Sequence, residues 1–242
     1  MSEQDEDVIY YPSGADNSDA VTACFPNDLR NKFEFYSYRN AATVLSVSFP
    51  DQFQQLVQAL QDLSISKSMI REAGGSKSSI AKHVDTLFAP DQWQEARLSA
   101  DLHVRLSDPR KKDRIIDQYV RTNFLDGHRI DFVNGRVAVD LEWNSKDQTY
   151  DRDLYAFAAF YNAGAIDLGV IITRGYSLDN EFFRSLGKAL TKEGTEGNED
   201  VVKKFGASTT WMGKLIYRLE AGRNGGCPVL AIGITPACVS DK

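Results

Sequence analysis

The stretch His128-Arg129-Ile130-Asp131-Phe132-Val133-Asn134-Gly135-Arg136-Val137-Ala138-Val139-Asp140-Leu141-Glu142-Trp143-Asn144 decides how the chain folds. Apolar residues alternate with others on both sides of Asn134-Gly135, a dipeptide whose tolerance of positive φ suits a two-residue turn. The pattern predicts a β-hairpin turning on Asn134-Gly135. Asp131 then lies in the first strand and Glu142 in the second, eleven residues on. Side chains alternate faces along a strand, so Asn144 shares a face with Glu142 and with Asp140, and the hairpin brings Asp131 alongside.

Working outward, residues 154–163 (LYAFAAFYNA) read as an apolar helix ending near Gly164, and residues 166–173 (IDLGVIIT) as a strand buried on both faces. Hairpin, helix and strand in that order make a mixed sheet with a helix across it. Residues 180–190 read as helical and the Gly- and Glu-rich 193–200 as a loop. Ser208-Thr209-Thr210 read as the cap of a helix to about Leu219, and residues 228–235 (PVLAIGIT) as a last buried strand. Upstream, Lys32 to Arg39 alternates as a strand, and Pro50 to Leu63 places Phe53, Leu56, Val57, Leu60 and Leu63 at helical spacing. The expected class is α/β, a mixed central sheet flanked by helices. Residues 90–98, with Trp93, and the charged run 111–119 fit no single element. Residues 72–79, rich in Gly and Ser, read as a turn able to offer N–H groups and Lys77 to a phosphate; the GxxxxGK[ST] spacing of a nucleotide site is absent.

The chain has 242 residues, enough for one well-filled core, and one domain is expected over residues 32–242 after an acidic, mobile leader at 1–31. The net charge of −6 argues against a nucleic-acid partner only superficially. Residues 1–20 hold six acids and no base, so the remainder balances at 28 acids and 28 bases, and a neutral body can still carry a basic cleft. Three widely spaced cysteines form neither a disulfide framework nor a zinc pattern. No run is long and apolar enough for a membrane span, and the acidic start differs from a signal peptide, so a cytoplasmic protein is expected.

Two carboxylates of hard oxygen character, with the Trp143 carbonyl between the second and Asn144, suit Mg²⁺, which takes oxygen ligands and keeps several waters. Such a site hydrolyses phosphodiesters without covalent work by the protein. The same acids would also suit the solvated face of a hairpin, but Asp140, Glu142 and Asn144 crowd one strand face at a cost that a shared cation would offset.

Ile130-Asp131-Phe132 followed by Glu142-x-Asn144 resembles the PD-(D/E)xK nuclease motif, and more narrowly the BglII and BamHI group of type II restriction endonucleases. The resemblance extends over roughly residues 32 to 236, through KFEFYSYRNAATVL, Ser76-Lys77, the RIDF hairpin and the Val170 to Gly175 strand. It implies a restriction-endonuclease-like core, Mg²⁺ held by Asp131 and Glu142, double-stranded DNA as partner, a palindromic target and a homodimer joined near the 154–163 helix. The family's third catalytic position falls on Asn144, which cannot take a proton as a base and at most positions water by hydrogen bonds, so Lys146, two residues further on, stands as a substitute. By placement, Ser145, Lys146, Asp147 and Gln148 resemble the family's major-groove readers. Arg152 and Arg174 are candidates for phosphate or base contact, and Thr209, Thr210 and Lys214 for the DNA backbone. Tyr155, Phe157, Phe160 and Tyr161 read as core and dimer packing. A non-specific, repair or nicking nuclease of the same superfamily, or a DNA-binding protein with a decayed site, are the alternatives.

Overall fold

The computed structural model describes residues 21, 23–73 and 77–241. Residues 1–20 of the acidic leader, and Ser76 with the glycine pair before it, lie outside the described residues. The leader's last part is packed and not mobile: Val21 and Phe25 are buried ahead of helix α1 (Asn27–Lys32), and Leu29 within it. In chain order there follow β1 (Phe33–Tyr38), α2 (Ala41–Ser48), α3 (Pro50–Asp62), β2 (Ile65–Ser66), α4 (Lys67–Arg71), α5 (Ser79–Leu87), β3 (Gln94–Asp108), β4 (Arg114–Asn134) and β5 (Val137–Glu142). The second half contains α6 (Thr149–Asn162), β6 (Leu168–Arg174), α7 (Asn180–Ser185), β7 (Lys188–Leu190), β8 (Glu196–Asp200), α8 (Met212–Glu220), β9 (Val229–Ile234) and β10 (Val239–Ser240).

Six strands form one mixed sheet in the order β1-β9-β6-β5-β4-β3. β5, β6 and β9 run parallel to one another, and β1, β4 and β3 add antiparallel pairings at the two sides. Alternation along the central strands sorts their side chains into two layers. Val139, Val170, Ile172, Leu230 and Ile232 pack with Leu45, Leu56 and Leu60 of α2 and α3 on one face. Ala138, Ile171, Val229 and Ala231 pack with Leu154, Phe157, Leu215 and Leu219 of α6 and α8 on the other. Burying both faces is what the unbroken apolar runs of β6 and β9 require. Among the described residues no helix is long and apolar enough to cross a membrane, and Cys24, Cys227 and Cys238 are free thiols.

Three local expectations change. The hairpin turns on Gly135-Arg136, because Asn134 stays in β4 and pairs with Val137. Its side chain is held there by Gln55 (2.9 Å) and Gln52 (3.4 Å) of α3, leaving Gly135, at φ +57°, to take the positive-φ turn position. The helix expected over 180–190 stops at Ser185, where Gly187 (φ +72°) reverses the chain, and of the loop expected at 193–200 residues 196–200 become strand β8, paired with β7. Ser208-Thr209-Thr210 cap nothing: the N-cap of α8 is Trp211.

Candidate active site

Across the sheet from β5, the pairing of β4 with β3 slips. Val133 pairs with Gln94 and Ile130 with Ala96, so β4 uses three steps where β3 uses two. An extra residue at 131–132 is a β-bulge, which bends a strand and re-aims its side chains. Ile130 and Phe132, two apart, therefore pack into opposite layers of the core. The bulge takes Asp131 out of regular alternation, and carboxylates satisfy the backbone groups it frees: the Asp131 N–H donates to Asp140 Oδ1 at 2.8 Å, and the Leu141 N–H donates to the Asp131 carboxylate.

The result is a cavity of about 280 Å³ into which Asp131, Asp140 and Glu142 face from the hairpin, and Arg152 and Asp153 from the start of α6. Asp140, Glu142 and Asp153 are buried, whereas Asp131 sits open at the rim. The Thr149 hydroxyl donates to Glu142 Oε2 at 3.0 Å, and the Glu142 carbonyl accepts from Thr173 Oγ1 at 2.8 Å, which fixes both ends of the residue. Arg152 bonds Asp153 Oδ1 through Nε (3.0 Å) and Nη2 (2.9 Å), and its Nη2 lies 3.5 Å from Glu142 Oε1. Asp153 Oδ2 is buried with no hydrogen-bond partner.

Glu95 is paired with Arg129 at the cavity wall, and the other four acids face one guanidinium, Arg152, which leaves a surplus of negative charge in a largely desolvated place. Burial first, then the charge of Asp131, raises Asp140 to about 8. Burial and the charges of Glu142 and Asp140 raise Asp153 to about 9. Partial desolvation and the Glu142 charge raise Asp131 as well. A cation relieves such a set, and the donors are oxygens, the preference of a hard divalent ion. Among the described residues no three His, Cys, Asp or Glu side chains stand in ready ligating geometry. A metal here would thus rest on two carboxylates, with water completing the shell, a fit for an ion that dehydrates reluctantly.

The structure brings Asp131, Glu142 and Arg152 together and separates other expected members. β5 ends at Glu142, and Asn144 leaves the strand in the left-handed conformation (φ +57°) that Asn tolerates. Neither Asn144 nor Lys146 therefore continues the face of Glu142, and neither they nor Trp143 line the cavity. Trp143 packs edge-on against Phe205. Lys146 is exposed and pairs through its backbone with Thr209. The cation inside the cavity that bonds the acids is Arg152, not Lys146.

The expected DNA-contacting residues divide in the same way. Arg174 is buried, its Nε on the Thr210 carbonyl (2.9 Å) and Nη2 on Thr209 Oγ1 (2.7 Å), its guanidinium beside the Phe183 and Phe205 rings. Thr210 is fully buried and, with Ser145, exchanges bonds that tie the 143–148 loop to the 206–210 loop. Arg174 and Thr210 are buried struts beneath the loop, while Ser145 and Thr209 are half-exposed above them. Asp147 lies 3.7 Å from both Lys214 and Arg218. Lys77 pairs with Asp85 and feels the charge of Asp131, which places it near the cavity rim. Gln148 and Lys146 are exposed.

Asp140 and Asp153 are the buried acids of the cavity that motif spacing left out, and Glu95, His128 and Arg129 line it as well. Asp153 had a signal: it lies four residues before Phe157 and three after Tyr150, on the buried face of an otherwise apolar helix.

Comparison with known families connects this geometry to chemistry. The family model for restriction endonuclease BglII/BglIII matches residues 33–234, from the first strand of the sheet to the last residue of β9. No curated protein sequence matches the chain. The match spans every strand that builds the cavity, and the mixed, helix-flanked sheet agrees with the restriction endonuclease fold. The chain belongs to the BglII/BglIII family of restriction endonucleases, and is a type II site-specific deoxyribonuclease that hydrolyses DNA.

Proposed function

We propose that the enzyme is Mg²⁺-dependent and cuts both strands of a palindromic site as a homodimer, one cavity per strand. The support is the meeting of Asp131 and Glu142 in a single desolvated cavity, from two strands locked to each other by the Asp140 and Leu141 hydrogen bonds. Asp131 and Glu142 would hold the metal. Bound there, Mg²⁺ supplies the charge that activates water and neutralises the leaving oxygen. Asp140 holds the bulged backbone so that Asp131 faces Glu142. Thr149 orients Glu142. Arg152, bridged to Asp153, sets a positive charge beside the carboxylates, the place where related nucleases put a lysine. Residues 32–242 act as one endonuclease unit. The two-fold arrangement follows from chemistry: a palindrome presents two equivalent phosphodiesters and each chain carries one such cavity. Lys77, Lys146, Gln148 and Lys214 remain the exposed candidates for the DNA surface.

The test is digestion of a long DNA with Mg²⁺ followed by sequencing of the ends. Discrete fragments with one shared, symmetric end sequence are expected, lost with EDTA and with Asp131→Ala or Glu142→Ala. A smear of ends, or undiminished cutting by either variant, contradicts the proposal.

A further inference from the structure

Strands β3 and β4 outgrow the sheet. β4 pairs with β5 only from Phe132 to Asn134, yet its pairing with β3 continues back to Asp108↔Arg114. Residues 99–126 thus form a two-stranded arm whose only strand partners, among the described residues, are each other. From Ser99 to Asp108 the arm spans up to roughly 30 Å at about 3.3 Å per residue.

Its direction follows from topology. β4 runs antiparallel to β5, so residues preceding Arg129 lie beyond the end of β5, which is Glu142. The arm therefore leaves the sheet at the edge that carries the catalytic carboxylates. Its root is part of the cavity itself: Glu95, Gly127, His128 and Arg129 line it, with His128 edge-on against Tyr155 of α6. DNA seated with a phosphate in the cavity lies at the foot of this arm.

The tip, Asp108-Pro109-Arg110-Lys111-Lys112-Asp113-Arg114, has four bases and two acids in a chain whose net charge is −6. Among the described residues, the Arg110, Lys111, Lys112 and Arg114 side chains make no ion pair and no hydrogen bond, while Asp108 is already occupied by the Arg110 N–H. Lower down, Asp126 is matched by Arg97 and Asp101 accepts the Asn123 N–H. Internal pairing therefore takes up acids of the arm and leaves the cationic tip free. On β3, Ala100, Leu102, Val104 and Leu106 line one face, with Tyr119 paired to Val104 on it. Beyond Leu106 the tip holds no apolar residue except Pro109. What it offers is four cations, and a polyanion needs only those.

We infer that the β3–β4 arm is a second DNA contact, in which Arg110, Lys111, Lys112 and Arg114 bind phosphates flanking the recognition site. At about 3.4 Å of rise per base pair, the reach is up to roughly nine base pairs beyond the cut. The inference rests on DNA occupying the cavity as proposed above.

The experiment compares the wild-type chain with a variant carrying Arg110→Gln, Lys111→Gln, Lys112→Gln and Arg114→Gln. Binding is read by fluorescence anisotropy with Ca²⁺ replacing Mg²⁺. The duplexes carry the site found by digestion, with flanks of about 4 or about 15 base pairs on each side, chosen to fall short of or exceed the reach. The wild type is expected to bind the long duplex at least about tenfold more tightly than the short one. The variant should lose that preference, and its slope of log affinity against log salt on the long duplex should fall by about 0.9 for each phosphate that is no longer neutralised. Lys111→Glu with Lys112→Glu, at two exposed positions, should do the same. A wild type indifferent to flank length, or variants that keep its preference and slope, overturns the inference. So does a variant that turns from dimer to monomer in sedimentation with its flank preference intact, which would assign the arm to a second copy. Failure of the nuclease proposal is visible separately, as an absence of discrete fragments. The comparison then proceeds on mixed-sequence duplexes of the same two lengths, with the same outcomes.

Discussion

Gly169→Ala tests whether the packing of α6 on the sheet sets the catalytic geometry. Gly169 lies on β6 directly under Phe157, and a β-carbon there would stand 2.3 Å from two carbons of that ring and 2.9 Å from a third. Carbon atoms in contact sit about 3.5–4.0 Å apart, so ring and strand must separate by more than about 1 Å. Phe157 is fully buried and has nowhere to turn. Overpacking of this kind costs about 1–3 kcal/mol, and the severity of the clash points to the upper end. The displacement does not stay local. Asp153 lies one helical turn before Phe157 on the same face, and Arg152 bridges Asp153 to Glu142. A shift of about 1 Å at a catalytic group costs on the order of 10²-fold in rate. Urea unfolding followed by circular dichroism, together with initial rates of plasmid cutting in Mg²⁺, measures both quantities. The added Phe157→Leu substitution makes room, so the double variant should be more stable than the sum of the two single effects predicts, by more than about 1 kcal/mol. A Gly169→Ala protein within about 0.5 kcal/mol of wild type, or a strictly additive double variant, refutes the reasoning.

Three further outcomes are expected. In EDTA, Asp140 and Asp153 titrate at about 8 and about 9 when folded, above the ordinary carboxylate value of 3.8. The folded chain therefore keeps protons that the unfolded chain has lost, so stability is full below about pH 4 and falls as pH rises towards 8, by up to about 1.4 kcal/mol per unit for one such group. Asp140→Asn, which keeps an acceptor for the Asp131 N–H, should remove about one proton's worth of that slope in urea titrations between pH 5.5 and 7.5; an unchanged slope counts against the burial argument. Thr210→Val removes the hydroxyl that accepts from the Ser145 N–H at 3.2 Å. It should cost about 1–2 kcal/mol in urea unfolding and slow cutting, and a neutral result would show that the two loops are not tied through this residue. Arg152→Met should lower the cutting rate on the order of 10²-fold with the fold retained, with Arg152→Lys recovering part of the loss; equal rates for Met and Lys would deny the charge its role.

The central architecture was legible because its signals are local and redundant. The apolar runs that became β6 and β9, the helical spacing that became α3, and the turn glycine at 135 each state one period clearly, and the core uses them as stated. The hairpin register was legible only to within a residue, because the choice between Asn134-Gly135 and Gly135-Arg136 depends on Gln52 and Gln55, which are distant in sequence. The same limit hid the bulge at Asp131, which exists only as a mismatch between two strands. Asn144 followed the motif in spacing, but a motif written along a strand cannot show where the strand stops; β5 stops at Glu142, and the cation is delivered by α6 instead. The arm was only half legible: apolar residues at 96, 98, 100, 102, 104 and 106 alternate along β3, whereas β4, exposed along most of its length and broken by bulges against β3, shows no such period.

The most direct test of the paired-carboxylate account is anomalous diffraction from crystals of the protein grown with Mn²⁺ in place of Mg²⁺. The account predicts a peak in the cavity ligated by carboxylate oxygens of both Asp131 and Glu142, and no peak there in crystals of Glu142→Ala. A metal bound elsewhere, or held in the cavity without one of those two residues, would contradict it.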